Sequence, residues 1–143
     1  SDETVTEVLE KIGFAKKLST MEQQLNTQIF KLFDENGVEL SGGEGQKIAI
    51  ARAIHKDAPV CIMDEPTAAL DPKAEFELYC RMNEIVGDRT VIYISHRLAS
   101  AKYCDKIIVI DKGTVLEEGS HRELSGTGGV YAQMYQAQSG LYV

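Results

Sequence analysis

The residue pattern predicts an α/β chain built on a mainly parallel sheet, and three observations carry that expectation. Two apolar runs, Val60-Cys61-Ile62-Met63 and Ile107-Ile108-Val109-Ile110, are too short and too uniformly apolar for surface helices and read as buried strands. Stretches with apolar residues at three- and four-residue spacing alternate with them, as helices do. The first run ends in Asp64-Glu65, and in open α/β sheets ligands bind beyond the carboxyl ends of the strands.

From Thr4 the residues Val5, Val8, Leu9 and Ile12 form one stripe of an amphipathic helix, with Asp2 and Glu3 near its positive end and Gly13 closing it. A second helix is expected from Ser19 as N-cap, with Met21, Leu25 and Ile29 at four-residue spacing, so residues 1–32 read as two surface helices. Phe33 to Glu39 breaks the period with Asp, Asn and Gly and reads as a loop. Leu40-Ser41-Gly42-Gly43-Glu44 then opens an Ala- and Ile-rich helix from Gln46 to His55.

After Pro59 the strand from Val60 to Met63 is expected to be covered on both faces. Asp71-Pro72 starts a helix that carries Phe76, Tyr79, Met82, Ile85 and Val86 to a stop at Gly87. A strand from Thr90 to Ser95, a short helix from Arg97 to Tyr103 and a strand from Lys106 to Asp111 follow. Lys112-Gly113 turns the chain into Thr114 to Glu118 as a hairpin. Ser120 caps a short helix, Gly126 to Gly129 reads as flexible, and Tyr131 to Gln138 reads as a polar helix with Tyr and Met on one side.

At 143 residues the chain has the length of one ordinary domain, and its 43% apolar and 26% charged residues suffice for a packed core. A net charge of −7 is a poor match to a nucleic-acid backbone, so no nucleic-acid partner is expected. Apolar runs of four residues fall far short of the ~20 that a membrane-spanning helix needs. Cys61, Cys80 and Cys104 show no paired spacing and read as reduced, mostly buried thiols. The chain opens at Ser1 without Met or a signal-peptide pattern, as a processed or excised product would.

Four pieces carry chemistry, in order: LSGGE at 40–44, Asp64-Glu65-Pro66-Thr67 at a strand end, Ala69-Leu70-Asp71 just beyond, and Ser95-His96-Arg97 after the next strand. Ser41, Gly42 and Gly43 bring a hydroxyl and unobstructed backbone N–H groups to the positive end of a helix, where an anionic phosphate binds well. An isolated Ser-Gly-Gly is ordinarily a plain N-cap; the downstream pieces are what turn the reading toward phosphate. Adjacent carboxylates at a strand end point to different sides, so Asp64 and Glu65 can take two jobs, one toward a metal and one toward water. A solvated strand end is the ordinary alternative for such a pair. His96 follows a strand whose carboxyl end should lie beside that of the Asp64 strand, whereas His55 and His121 read as ordinary residues. Asp71 is a natural N-cap for the helix at Pro72.

Together, in this order and spacing, these pieces resemble the second half of the nucleotide-binding domain of ATP-binding cassette (ABC) proteins, over nearly the whole chain. The resemblance implies a partial P-loop NTPase fold, a parallel sheet with flanking helices, plus the ABC helical subdomain. It divides the chain into a helical subdomain with the signature motif and its helix (1–57), the C-terminal part of the ATPase core sheet (58–125) and a C-terminal helical tail (126–143). It implies that Ser41, Gly42, Gly43 and Glu44 touch the γ-phosphate of an ATP held mainly by the opposite subunit of a head-to-tail dimer. Glu44 stands where the family often has Gln and puts an anion near that phosphate. By the same resemblance Asp64 supports Mg²⁺, Glu65 is the general base for the attacking water, His96 holds the γ-phosphate and senses its loss, and Asp71 crosses the dimer interface. The tail, with Gly119-Ser120-His121 and Gly129 to Tyr135, is similar to the end of exporter-type cassettes and carries no evident chemistry.

A complete cassette also holds GxxxxGK[ST], whose backbone and Lys cradle the β- and γ-phosphates. No Gly-Lys-Ser or Gly-Lys-Thr occurs in these residues; Asp111-Lys112-Gly113-Thr114 has the order reversed. Each missing charge-assisted hydrogen bond is worth ~1.5–3 kcal/mol, so this chain alone is not expected to hold Mg-ATP tightly or to hydrolyse it. The strand leading to that loop would lie between the strands at 90–95 and 106–110, and its absence should leave unpaired strand edges or a rearranged or self-paired sheet.

The expected function is therefore that of the C-terminal portion of an ABC exporter ATPase, at the cytoplasmic face of the cell membrane. Its expected partners are the N-terminal half with the phosphate loop, a second nucleotide-binding domain and transmembrane domains. The alternatives are a non-transport cassette ATPase of DNA repair or chromosome maintenance, and a catalytically silent cassette-like adaptor. The first places a long coiled coil before this region, whereas no sustained heptad appears here, the net charge is −7 and the tail is exporter-like; the second has no use for Glu65 and His96.

Overall fold

Ser1 accepts a hydrogen bond from the Thr4 N–H and starts the first helix, α1 (Asp2–Lys11), in a computed structural model that describes residues 1–31, 35 and 37–139. The helix ends at Gly13, whose φ of +72° is the left-handed conformation that glycine adopts without a Cβ clash. By compactness the chain forms two units, residues 1–94 and 95–143.

The first unit departs from the expected second helix. A short helix α2 (Ala15–Ser19) ends at the residue expected to begin one, and Gln24–Asn26 is a single 3₁₀ turn. The cause is local. Ser19 Oγ and Thr20 Oγ1 donate back to the carbonyls of Lys16 and Lys17 at 2.9 and 2.7 Å, and Gln24 takes φ +45°. Beyond it the chain extends, and Ile29 bridges Val38 in parallel. The loop expected over 33–39 lies partly outside the described residues.

Helix α3 (Gly42–His55) begins four residues earlier than its helix-forming composition suggests, because Ser41 and Glu44 close a capping box. Strand β1 (Val60–Asp64) leads through a loop to α4 (Pro72–Val86), which Asp71 caps and Gly87, at φ +57°, terminates. Strand β2 (Thr90–Ile94) pairs with β1 in parallel, Val60 opposite Thr90 and Asp64 opposite Ile94. Leu9, Ile12, Ile50, Ile54, Met63 and Met82 contribute to one core that α1, α3 and α4 share with this sheet.

That core lies against one face of the sheet only, which corrects the expectation of a doubly covered strand. Cys61 and Met63 are buried, but Val60 and Ile62 are 51% and 66% exposed, and Ile92 and Ile94 on the same face are 47% and 51% exposed. Helices flank the other face, and β2 pairs with no strand besides β1 among the described residues. Among the described residues this two-stranded sheet therefore has unpaired edges, as expected, and in addition an uncovered apolar face. Two smaller corrections follow from the same geometry. Phe76 is 57% exposed while Glu75 and Leu78 turn inward, and only Cys61 of the three thiols is buried.

In the second unit Leu98–Tyr103 is a 3₁₀ helix, and β3 (Ile107–Asp111) and β4 (Thr114–Gly119) form the expected hairpin. Lys112 and Gly113 both take positive φ, +47° and +77°, the pair of values a tight right-twisted hairpin turn demands. Helix α5 (His121–Gly126) starts at a Ser120–Glu123 capping box. The stretch expected to be flexible is a turn in which Thr127 Oγ1 donates to the Leu124 carbonyl at 2.9 Å. Helix α6 (Val130–Ser139) buries Tyr131 and Ala132, while Met134 is 46% exposed, so Met134 does not share the buried side with the tyrosine.

Candidate functional site

Ser41 sits at φ −63°, ψ 160°, extended backbone that turns its side chain toward the first amides of α3. Its hydroxyl accepts from the Glu44 N–H at 3.3 Å, and Glu44 Oε2 accepts from the Ser41 N–H at 2.8 Å. The other Glu44 oxygen pairs with Lys17 Nζ at 3.1 Å. The hydrogen bond from the Ser41 backbone, reinforced by Lys17, holds the Glu44 carboxyl below the ordinary range for glutamate. Ser41 and Gly42 remain exposed at this positive helix end, where the first amides have no acceptor within the helix.

The two signature glycines answer a packing demand as well. A Cβ on Gly43 would lie 3.0 Å from the Ala69 carbonyl oxygen and 3.1 Å from Leu70 Cδ2, and one on Gly42 would lie 3.3 Å from Ala69 Cβ. The start of α3 is therefore pressed against the loop that follows β1.

That loop begins at the acidic pair. Asp64 closes β1 on the exposed face, and Glu65, half-buried, takes φ +46°, a left-handed conformation unusual for a residue with a side chain. Glu65 is held there through its backbone. Its N–H donates to the Ile94 carbonyl at 2.8 Å, and its own carbonyl accepts from Ala68 N at 3.2 Å and from Gln46 Nε2 at 3.4 Å. Gln46 Oε1 accepts in turn from Ala69 N at 2.8 Å, so one amide spans the loop. Under it Thr67, 1% exposed, donates to Glu75 Oε1 at 2.6 Å and lies 3.2 Å from Tyr79 Oη. The loop ends at Asp71, whose Oδ1 accepts from Lys73 N and Ala74 N, both at 3.0 Å; the bond from Ala74 foremost lowers its carboxyl from the ordinary aspartate range.

Ser41, Gly42, Gly43, Glu44, Asp64, Glu65 and Asp71 are thus placed in one unit, tied by Gln46 and the Gly43–Ala69 approach. His96 belongs to the other unit and is exposed there. It follows Ile94 by two residues, and Ile94 stands in register with Asp64, as expected of two strands ending side by side. Around His96, Ser95 Oγ accepts from Arg97 N at 3.0 Å and Ser100 Oγ donates to the Arg97 carbonyl at 2.8 Å.

Two glutamines escaped the sequence reading. Gln46 clips the Glu65 loop, and Gln138 of α6 reaches the backbone on both sides of Arg97. Gln46 lies within the signature helix but carries no charge or motif identity of its own. Gln138 had a fainter signal, its i+7 spacing from Tyr131.

The fit to a nucleotide and its metal follows from these placements. A single exposed strand-end carboxylate, Asp64, suits Mg²⁺, which is commonly held by one or two carboxylates plus phosphates and water rather than by an all-protein cage. Among the described residues no group of three His, Cys, Asp or Glu is placed to hold a metal. The Ser41 N–H is taken by Glu44, so the Ser41 hydroxyl and the amides of Gly42 and Gly43 are what suit one terminal phosphate here, with Glu44 already paired with Lys17.

A family model described as ABC transporter matches residues 1–68. The chain is 46% identical over 123 residues to an ATP-dependent lipid A-core flippase of Vibrio vulnificus strain CMCP6, covering 86% of this chain and 20% of that protein. It is 50% identical over 104 residues to the protein of the same name from Legionella pneumophila strain Lens, covering 73% of this chain and 18% of the relative. It therefore spans about a fifth of the length of the curated relatives it matches. Among solved structures a bacterial Atm1-family ABC exporter with ATP bound is similar at a TM-score of 0.84 and 34% identity, over 97% of this chain and 24% of that one.

Proposed function

The chain belongs to the ABC transporter family, and on that premise we propose that it is the signature-and-carboxylate portion of an exporter ATPase, coupling ATP binding and hydrolysis to transport across a membrane. The observation that carries the reading is the clip between two functions. The helix start that would meet a phosphate and the loop backbone that bears the proposed water-activating carboxylate are locked together by Gln46 and by the approach of Gly43 to Ala69.

In the intact protein Ser41, Gly42 and Gly43 touch the terminal phosphate of an ATP cradled chiefly by a second nucleotide-binding domain, across a two-fold dimer. Glu65 orients and deprotonates the attacking water in this chain's own site, where the phosphate loop comes from the N-terminal half. Three hydrogen bonds at the Glu65 N–H and carbonyl, one of them from the Gln46 side chain, hold its left-handed backbone in place. Asp64 supports Mg²⁺, which when bound neutralises charge on the phosphates. His96 donates to the γ-phosphate and responds to its loss, and Asp71, besides capping α4, positions the partner's site. The functional division into 1–57, 58–125 and 126–143 cuts across the compact units because α1 and α3 share a core with β1 and β2. The assembly works at the cytoplasmic face of the cell membrane with transmembrane domains; no helix among the described residues is long and apolar enough to cross it.

Glu65→Gln in the full-length protein tests this. The amide keeps the shape and removes the base, so steady-state phosphate release should fall at least ~100-fold while ATP still closes the dimer. Turnover near the wild-type rate in that variant would reject the assignment. The isolated 143-residue chain should hold Mg-ATP no more tightly than the millimolar range.

A further inference from the structure

The C-terminal helix entered the sequence reading as a tail without chemistry, yet one of its side chains is bonded to the backbone that carries His96. Gln138 Nε2 donates to the His96 carbonyl at 2.6 Å, and Gln138 Oε1 accepts from the Leu98 N–H at 2.8 Å. The two bonds fix the orientation of the amide, since the reverse would set NH₂ against N–H and oxygen against oxygen. They also fix the peptide planes on both sides of Arg97. Together with Ser95 Oγ on the Arg97 N–H, three bonds then hold three consecutive residues of this loop.

A clip is only as firm as the helix that bears it, and α6 is held at its other end. Glu117 caps it, Oε1 accepting from Val130 N at 2.7 Å and Oε2 from Tyr131 N at 3.0 Å. Tyr131, 1% exposed, meets His121 Nδ1 through its hydroxyl at 2.7 Å and stacks on Tyr135 with ring centroids 5.9 Å apart. Tyr131, Tyr135 and Gln138 stand at i, i+4 and i+7, one stripe of the helix, so seating the aromatic pair brings the amide to the loop.

We propose that α6 is a strap that positions His96, with Gln138 as the positioning residue. Loop residues with few buried apolar contacts sample many backbone states, and a γ-phosphate contact requires one of them. Gln138 removes that freedom without touching nucleotide. The inference rests on the assignment of His96 as the γ-phosphate contact, and its test separates the two.

The experiment is steady-state ATP hydrolysis by the full-length protein carrying Gln138→Met, Gln138→Glu, His96→Ala or Gln136→Met. Methionine keeps the length and loses both bonds; glutamate keeps the acceptor for Leu98 and loses the donor to His96. Gln136 faces solvent on the same helix. Gln138→Met should lower kcat about tenfold with KM for ATP within about twofold, Gln138→Glu, which sets a carboxylate oxygen against the His96 carbonyl, should lower kcat at least as far, and Gln136→Met should match wild type. A kcat for Gln138→Met within twofold of wild type, in a background where His96→Ala is crippled, overturns the strap. Full turnover in His96→Ala overturns the assignment beneath it instead. If Gln138→Met melts below the assay temperature, Gln138→Glu decides. Unchanged kcat at an unchanged melting temperature overturns the proposal, and reduced kcat with KM unchanged supports it.

Discussion

Glu44 lies where a phosphate is proposed to bind, and its electrostatics make a measurable difference. Its carboxyl is held low in the fold by the Ser41 N–H and Lys17, so the ionised form is the stabilising one. That contribution is complete above the unfolded glutamate value, near 4.3, and fades as the pH drops through the lower folded value. Amide exchange at the start of α3 should therefore quicken below about pH 4 in the native chain, after correction for intrinsic rates, and much less so in Glu44→Gln, whose amide oxygen can still accept from Ser41. An identical acid response in the two would remove Glu44 from this role. The Ser41–Glu44 pairing was legible in the sequence as a cap signal, S-x-x-E. Its salt bridge to Lys17 was not, because the partner comes from a separate helix 27 positions earlier in the chain, 44 less 17.

Among the elements, α3 and the loop after β1 behave as a single piece. Gly43→Ala should force the Ala69 carbonyl and Leu70 apart, an overpacking cost of about 1–3 kcal/mol that outweighs the gain in helix propensity. Gly45→Ala is the internal control, since its added methyl meets nothing within 4 Å. Exchange protection across 42–55 should fall in the first variant and rise or hold in the second. Elements with a local signal came through from sequence: α1 by its stripe, α4 by Asp71-Pro72 and Gly87, the hairpin by Lys112-Gly113. The helix expected at Ser19 did not form, because side-chain hydroxyls there return to the preceding turn and Gln24 adopts positive φ. Met21–Leu25–Ile29 spacing records which residues face inward in a helix; it says nothing about what terminates one.

Taken together, the chain presents apolar strand faces that nothing among the described residues covers. Val60, Ile62, Ile92 and Ile94 do so in the first unit, and Ile108, Ile110 and Val115 in the second, each about half exposed or more. Purified alone, the 143-residue chain should self-associate at micromolar concentration, and Ile62→Lys with Ile110→Lys should shift its sedimentation toward monomer. A monodisperse monomer without those substitutions would show that the faces are closed in solution. The chemistry proposed for the site is read from the order of its pieces, since charge, hydroxyl and glycine at set positions are properties of residue type alone. Which face of β1 lies open, the left-handed backbone at Glu65, and the amides of Gln46 and Gln138 on their loops arise from segments up to 42 positions apart. A glutamine advertises no partner until folding brings a backbone N–H and a carbonyl within 3.4 Å of its two ends.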